Sequence, residues 1–242
     1  MSTDVPQSPS SRSSRRIIFA LALIVTAISL AYWSWSNRQD LAAESVAAKT
    51  LQDLGAVVVM DGERRHVASV NLSTLQSPQS FAKAIQQLPS LTHITSLDAS
   101  RTAISDEQLA TVANLPKLNS LSLVSTAVTD DGVRWLGRLR SLQSLYLTST
   151  GITDRSLPVI AELDELRILD VSATQVTADL EPLVQLPQLE WLVLRKLSLE
   201  DGALPNLSGC QTLKRLSLDE SKYSADSLTK LQRARPELSV DQ

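Results

Sequence analysis

The sequence predicts an α/β solenoid, with a parallel β-sheet on its concave face and short helices on its convex face, preceded by one transmembrane helix. Three observations predict this class. A six-residue apolar frame recurs about every 24 residues, apolar residues at a spacing of three follow each frame, and an uncharged apolar run lies near the N-terminus. A period in the twenties is typical of solenoids, because each unit buries its apolar face only against its neighbours.

The apolar frame reads L-x-x-L-x-L with small changes. It begins at Ile94, Leu118, Leu142, Leu166, Leu189 and Leu213. Successive starts therefore differ by 24, 24, 24, 23 and 24 residues. A less regular copy begins at Val67, and a truncated last copy begins at Leu238. Because successive side chains of a strand point to opposite faces, L-x-L predicts a short strand whose leucines point inward.

The second half of each unit predicts a turn and a helix. A Ser/Thr-Asp pair such as Thr129-Asp130 follows the strand, and apolar residues then recur every third position, as at Val133, Leu136 and Leu139. Spacing by three places them on one helical face. Ser, Thr and Asp side chains accept hydrogen bonds from the free N–H groups of a helix start, so the pairs predict helix caps. The aspartates of this row are Asp106, Asp130, Asp154, Asp201 and Asp226. A calcium-binding ladder is the alternative for them.

The combined pattern, L-x-x-L-x-L-x-x-T-x-[IV]-[ST]-D followed by apolar residues at every third position, resembles the leucine-rich repeat family. It is similar to a bacterial subtype close to the ribonuclease-inhibitor-like and F-box-associated repeats, with Thr where many members have Asn or Cys. The resemblance covers residues 67–242. It implies a curved array that works by binding, mostly to proteins, through its sheet face.

The N-terminal region predicts a membrane anchor. Residues 1–16 are rich in Ser and Pro and predict a disordered cytoplasmic tail. Residues 17–35 carry no charge and predict a signal-anchor helix that spans the bilayer once. Three arginines precede this run, which predicts a cytoplasmic N-terminus and an extracytoplasmic repeat domain. A cleaved signal peptide is the alternative, although the run exceeds the usual ~7–15 residues and ends in aromatic residues typical of a membrane interface.

Two further segments follow the predicted anchor. Residues 36–66 predict a juxtamembrane helix that stops at Gly55 and a hairpin around Asp61-Gly62. This helix and hairpin are expected to close the first repeat as an N-terminal cap, because the end of a solenoid needs shielding from water. Residues 67–242 are the predicted repeat domain.

Composition argues against several other functions. A net charge of -3 and a pI near 5.5 argue against nucleic-acid binding. Cys210 is the one cysteine, so no intramolecular disulfide forms, and its place in the leucine register predicts burial. His66 and His93 have no His or Cys at ligand spacing, so we expect neither a metal nor a cofactor. No nucleophile or nucleotide-binding motif occurs, so neither an enzyme nor a small-molecule substrate is expected.

The candidate binding site lies at the outward positions of the predicted strands. Early strands carry small polar residues there, whereas later strands carry large or charged ones. The predicted protein-binding residues are Tyr146, Ile168, Asp170, Trp191, Val193, Arg195 and Arg215. Exposed aromatic side chains beside arginines are typical of an interface hot spot. Alternatively, these side chains stack on one another along the sheet, or a C-terminal segment covers them.

Two functions remain open from the sequence. The first is a membrane-anchored interaction module that binds a protein of unknown identity. The second is a structural component of the cell envelope that packs laterally and has no defined ligand. A large apolar patch around Trp191 would favour the first function, whereas charged or well-covered side chains there would favour the second.

Overall fold

The computed structural model describes the backbone of residues 11–63, 65–75 and 77–241, and the side chains of these ranges except 11–24, 33 and 37. The chain divides into two compact units, Met1–Ala43 and Glu44–Gln242. Residues 1–10 of the predicted tail lie outside the described residues. The repeat array lies entirely within the second unit.

The first long element is helix α1, Ser11–Asp53. It begins inside the predicted disordered tail and includes both the predicted anchor and the predicted juxtamembrane helix. Residues 11–16 contain no Gly or Pro, so no stop signal precedes the apolar run. The side chains of residues 17–24, the first part of the predicted anchor, lie outside the described residues. Within the part of the chain that the structure describes, no helix has the length and hydropathy needed to cross a membrane.

A hairpin follows the end of α1. Gly55 adopts a φ of 100°, a left-handed conformation that ends the helix. Strand β1, Val57–Met60, then pairs antiparallel with β2, Val67–Asn71. On α1, Ala47 and Leu51 are buried in the same core as the strands of the array. The end of α1 and the hairpin therefore cover the first edge of the parallel sheet.

The described residues form one nine-stranded sheet in sequential order from β1 to β9. Every pairing after β2 is parallel. The later strands are β3 Ser96–Asp98, β4 Ser120–Ser122, β5 Ser144–Tyr146, β6 Ile168–Asp170, β7 Trp191–Val193, β8 Arg215–Ser217 and β9 Ser239–Asp241. Their central residues pair in register, so the inward leucines form one continuous row. The parallel solenoid that the spacing predicted is confirmed.

Short helical segments return the chain to the start of each next strand. The α-helices are α2 Pro78–Gln87, α3 Leu109–Val112, α4 Asp130–Leu136, α5 Leu157–Ile160, α6 Ala203–Asn206 and α7 Ala225–Ala234. The 3₁₀ turns are Leu88–Ser90, Asp154–Ser156, Glu181–Gln185 and Leu207–Gly209. Their apolar residues join the strand leucines in one core. Cys210 is buried in this core, as predicted, and burial raises the pKa of its thiol.

Each strand from β3 to β8 is followed by the same left-handed turn. The non-glycine residues with positive φ, between 52° and 60°, are Arg101, Ser125, Ser149, Ala173, Lys196 and Glu220. A left-handed backbone costs an L-residue roughly 1–2 kcal/mol. Thr126 and Thr150 stabilise their turns, because each hydroxyl donates a 2.7 Å hydrogen bond to the carbonyl three residues earlier. The threonine of the repeat pattern is therefore a turn residue.

The aspartates at the helix starts connect neighbouring units. Asp130 accepts hydrogen bonds from the backbone N–H of Thr153 at 2.8 Å and from its hydroxyl at 2.7 Å. It also accepts one from the hydroxyl of Ser156. The same pair of contacts joins Asp106 to Thr129 and Asp154 to Thr177. Each of these three carboxylates is thus a staple between one repeat and the next, whereas Asp226 pairs with Lys230 of its own helix.

These contacts correct part of the capping prediction. The cap of α4 is Thr129, whose hydroxyl accepts a hydrogen bond from the N–H of Asp131 at 3.3 Å. Thr153 caps the following 3₁₀ turn in the same way through Arg155. The threonine therefore caps its own helix, as predicted, but the aspartate does not. Because adjacent strands lie only about 4.8 Å apart, a carboxylate one residue further along reaches the next unit instead.

The last unit closes the array. Arg235, at the end of α7, is 3% exposed and donates hydrogen bonds to the backbone carbonyls of Cys210, Gln211 and Leu213. Its guanidinium also pairs with Glu237. A buried arginine thus satisfies three backbone carbonyl groups of the preceding unit. Strand β9 confirms the truncated last copy of the frame.

Candidate functional site

The open face of the sheet carries two rows of outward side chains. One row contains Ser144, Ile168, Trp191 and Arg215 in register on β5 to β8. The other row contains Tyr146, Asp170, Val193 and Ser217 on the same strands. The four large uncharged residues of the predicted site therefore fall into two rows. Ile168 and Trp191 are neighbours in one row, whereas Asp170 lies between Tyr146 and Val193 in the other.

Trp191 is half-buried and held by two neighbours on β8. Its indole N–H donates a 3.2 Å hydrogen bond to the hydroxyl of Ser217. The guanidinium carbon of Arg215 lies 4.8 Å from the centre of the indole ring. An arginine at this distance is attracted to the ring face by a cation–π interaction of about 0.5–2 kcal/mol. The tryptophan is therefore a fixed feature of the face.

Val193 does not contribute to an exposed patch. It is only 5% exposed, so the expectation of an exposed side chain at this position is wrong. Val193 is buried because the indole of Trp191 extends across the sheet to Ser217, which pairs with Val193. Tyr146, Ile168 and Asp170 are half-buried, whereas Arg195 and Arg215 are exposed. The face around Trp191 is therefore a mixed aromatic and charged surface.

Two ion pairs border this surface. Arg195 Nε lies 2.7 Å from Asp219 Oδ2, and Arg215 Nε lies 2.6 Å from Asp241 Oδ2. The hydrogen bond from Arg215 lowers the pKa of Asp241 below its ordinary value. Exposed pairs of this kind contribute little to stability, because solvent screens them. They hold the arginines in place and leave them open to a partner.

A groove of about 500 Å³ lies at the carboxyl ends of these strands. Its charged lining residues are Asp170, Arg195, Lys196, Asp219 and Glu220. Asp170 is oriented by the backbone N–H of Ser172, which donates to its carboxylate at 2.9 Å. Two of the predicted site residues, Asp170 and Arg195, thus share one groove of mixed charge.

A second cluster was missed by sequence reasoning. Glu44, His66 and His93 lie far apart in the sequence, but their ligand atoms lie within 4.8 Å of one another. Burial, and then the neighbouring His66, lower the pKa of His93. The available signal was Glu44 itself, since it shares a helical face with Ala47 and Leu51, which are buried. An acidic residue on an apolar face predicts a buried partner.

Comparison with known proteins shows similarity at the level of structure. Neither a protein-family model nor a curated protein matches the sequence. Among solved structures, internalin C2 of Listeria monocytogenes is 28% identical with a TM-score of 0.53, over 64% of this chain and 63% of the internalin. A leucine-rich repeat protein of Leptospira interrogans is 22% identical with a TM-score of 0.53, over 64% of this chain and 39% of that one. The chain has a leucine-rich repeat fold.

A plant peptide hormone receptor in complex with RGF2 has the same repeat fold, with 14% identity and a TM-score of 0.50 over 73% of this chain. This chain covers 35% of that receptor. It therefore spans less than two thirds of the length of each of these three leucine-rich repeat proteins.

Proposed function

We propose that this leucine-rich repeat chain is a membrane-anchored module that binds another protein through the open face of its sheet. The proposal rests on how the outward side chains change from the first strands of the sheet to the last. Small polar residues line β3 and β4, namely Ser96, Asp98, Ser120 and Ser122. Ile168, Trp191 and Arg215 lie on β6 to β8, and Arg195 follows the end of β7. A structural neighbour that is a peptide hormone receptor supports a binding role for the fold. We propose binding and no catalysis, and the 24-residue period supports the ribonuclease-inhibitor-like subtype in a bacterial protein.

The chemistry of the face favours a partner with an apolar anchor and charges of both signs. Trp191 offers a fixed, half-buried aromatic surface of the kind that dominates interface energetics. Arg195 and Asp219 offer one charge of each sign at the edge of the groove. Desolvating an exposed ion pair is less costly when the partner supplies matching groups. The partner is therefore expected to contact β6 to β8 rather than β3 and β4.

The N-terminal part of α1 is the proposed anchor. Its described apolar side chains are solvent-exposed, namely Val25, Ile28, Leu30, Tyr32 and Trp35. A lipid bilayer would cover such side chains, and aromatic residues at the end of the run fit its interface. The arginines before the run support a cytoplasmic N-terminus and extracytoplasmic repeats.

The structural-component alternative also has an observation in its favour. On β7 and β8 the side chains satisfy one another, because Trp191 contacts Arg215 and Ser217, and Val193 is buried. A face whose groups are already paired needs no ligand. This alternative predicts contacts between copies of the chain, whereas the interaction module predicts contacts with a different protein.

Site-specific photo-crosslinking in native membranes tests the proposal. A photoreactive residue replaces Arg195 on the sheet face, and a matched control replaces Arg134 on helix α4. Both side chains are largely exposed, at 47% and 72%. We expect a discrete adduct of larger mass from position 195 alone, lost when Trp191→Ala is added. Equal adducts from both positions, or none from position 195, would contradict the sheet-face interface. Adducts containing only this chain would support the structural alternative.

Membrane topology is tested separately with a membrane-impermeant maleimide. Cys210 is first replaced by Ala, and a single cysteine is then introduced either at the exposed residue Lys222 or at Ser8, before the proposed anchor. We expect labelling of intact cells at position 222, and labelling at position 8 only after the membrane is permeabilised. Labelling of Ser8→Cys in intact cells would contradict the orientation. Recovery of the repeat domain in the soluble fraction would contradict the anchor.

A further inference from the structure

We propose that Glu44, His66 and His93 form a binding site for a divalent transition-metal ion, with Zn²⁺ as the best fit, at the N-terminal cap of the array. One carboxylate oxygen, Glu44 Oε2, lies 2.8 Å from His66 Nδ1 and 3.7 Å from His93 Nδ1. All three ligand atoms lie within 4.8 Å of one another. Two imidazole nitrogens and one carboxylate oxygen are a donor set that binds zinc with an open fourth position.

The spacing of these atoms fits a small ion. Zinc bonds to nitrogen and oxygen are about 2.0–2.2 Å long, so two ligand atoms of a tetrahedral site are about 3.3 Å apart. The two distances from Glu44 Oε2 lie on either side of this value. Adjustments of about half an ångström in each would bring Glu44 Oε2 to this spacing from both nitrogens. The two imidazole nitrogens lie within 4.8 Å of each other, and rotation of the stacked rings would turn both of them toward one ion.

Three separate elements hold the ligands in place. Glu44 lies on α1, His66 directly precedes β2, and His93 lies between the turn Leu88–Ser90 and β3. Glu44 is only 2% exposed, and its other oxygen accepts a 2.7 Å hydrogen bond from the backbone N–H of Val67. This bond fixes the carboxylate and leaves Oε2 facing both imidazoles. Second contacts of this kind orient the ligands of metal sites.

The electrostatics of the cluster also favour a cation. A buried carboxylate is costly unless a positive charge or several donors compensate it. The rings of His66 and His93 are stacked, with centroids 3.6 Å apart and planes inclined by 25°. A divalent ion held between Glu44 and the two rings would supply that positive charge.

The partial burial of the ligands determines how an ion reaches the site and which elements it connects. The side chains of His66 and His93 are 21% and 30% exposed, so an ion enters from the solvent side and a water completes its coordination. The bound ion would join the end of α1, the hairpin and the first parallel strand. Because it binds the folded cap and not the unfolded chain, it would stabilise the terminal unit.

The experiment uses the full-length chain without a histidine tag, purified in mild detergent and stripped with a chelator. Zn²⁺ is titrated calorimetrically, and the side-chain resonances of the two histidines, the only ones in the chain, are followed by NMR. We expect one ion per chain, perturbation of both imidazoles and a higher melting temperature. His93→Gln should lower the affinity at least about 100-fold. The matched control is Glu63→Gln, a change in the same hairpin at a glutamate whose side chain is 74% exposed, and it should leave binding unchanged.

Several outcomes overturn the proposal. These are no saturable binding to the native chain, equal binding by His93→Gln, or saturation that leaves both imidazole resonances unmoved. Glu44→Gln is a second variant that retains an acceptor for the N–H of Val67. If His93→Gln fails to fold, as shown by circular dichroism, Glu44→Gln and the NMR of the native chain decide the matter. If the three side chains only hydrogen-bond to one another, added zinc would leave the histidine resonances unchanged. That result also refutes the site.

Discussion

Replacing Asp130 by Ala removes one staple between two repeats, and its cost can be worked from the structure. The carboxylate accepts three hydrogen bonds, two from Thr153 and one from Ser156. A hydrogen bond to a charged group contributes about 1.5–3 kcal/mol, but the three share one acceptor and are partly solvated. We therefore expect the free energy of unfolding to fall by about 2–4 kcal/mol.

Equilibrium unfolding in urea measures this loss, and the neighbouring residue provides a matched control. Asp131 carries the same charge but pairs only with Arg134 at 3.0 Å, and both side chains are 72% exposed. Asp131→Ala should therefore change the free energy of unfolding by less than about 0.5 kcal/mol. Equal effects of the two substitutions would refute the view that the aspartate row joins the repeats.

The staple also predicts a pH dependence. Burial alone would raise the pKa of Asp130, but hydrogen bonds from Ser156 and Thr153 outweigh it, and the pKa lies below its ordinary value of 3.8. A carboxylate with a lowered folded-state pKa contributes stability above its unfolded pKa and loses it as the pH falls through the folded value. The difference in stability between the native chain and Asp130→Asn should therefore shrink below about pH 4. A constant difference between pH 7 and pH 3 would contradict this assignment.

Three further substitutions and one control substitution probe the array, each by urea unfolding. Gly132→Ala should lower the free energy of unfolding by about 1–3 kcal/mol, because the added Cβ would lie 2.3 Å from Asp106 Oδ1. This loss is expected despite the better helix propensity of Ala, and a gain in stability would contradict the close approach. Ala173→Gly should raise the free energy of unfolding by about 0.5–1 kcal/mol, because the φ of Ala173 is 52° and glycine adopts this conformation without strain. The control Ala82→Gly, on the exposed side of α2, should lower it by about 1 kcal/mol. Effects of equal sign would refute the argument from the turn. Arg235→Ala should cost about 3 kcal/mol or more, since three carbonyl groups lose their donor, and a loss below about 1 kcal/mol would show that water replaces the guanidinium.

The aspartates show which features of the fold can be predicted from repeat spacing and which cannot. The pattern correctly predicts a helix start at Thr129 and a buried role for Leu121 and Leu145, because strand and helix periodicities are local properties of the chain. The partner of Asp130 is 23 residues away. Its identity depends on the stacking distance between units, which no single repeat contains.

On the open face of the sheet, too, some features follow from the sequence and others only from the tertiary structure. Outward positions follow from alternation along each strand, so six of the seven predicted site residues do reach the surface. Whether a side chain is exposed depends on its neighbours on other strands. Val193 is buried beside the contact between Trp191 and Ser217, and that contact joins residues 26 apart in the chain.

The sequence by itself determined the repeat length, the parallel order of the strands and the inward leucines of this protein. These features repeat with a fixed period, and burial of apolar side chains is decided by that period. Only the tertiary structure decided that the aspartates join neighbouring units and that Glu44, His66 and His93 share one cluster at the cap. Those contacts join side chains at least 22 residues apart, and their geometry arises only when the units stack.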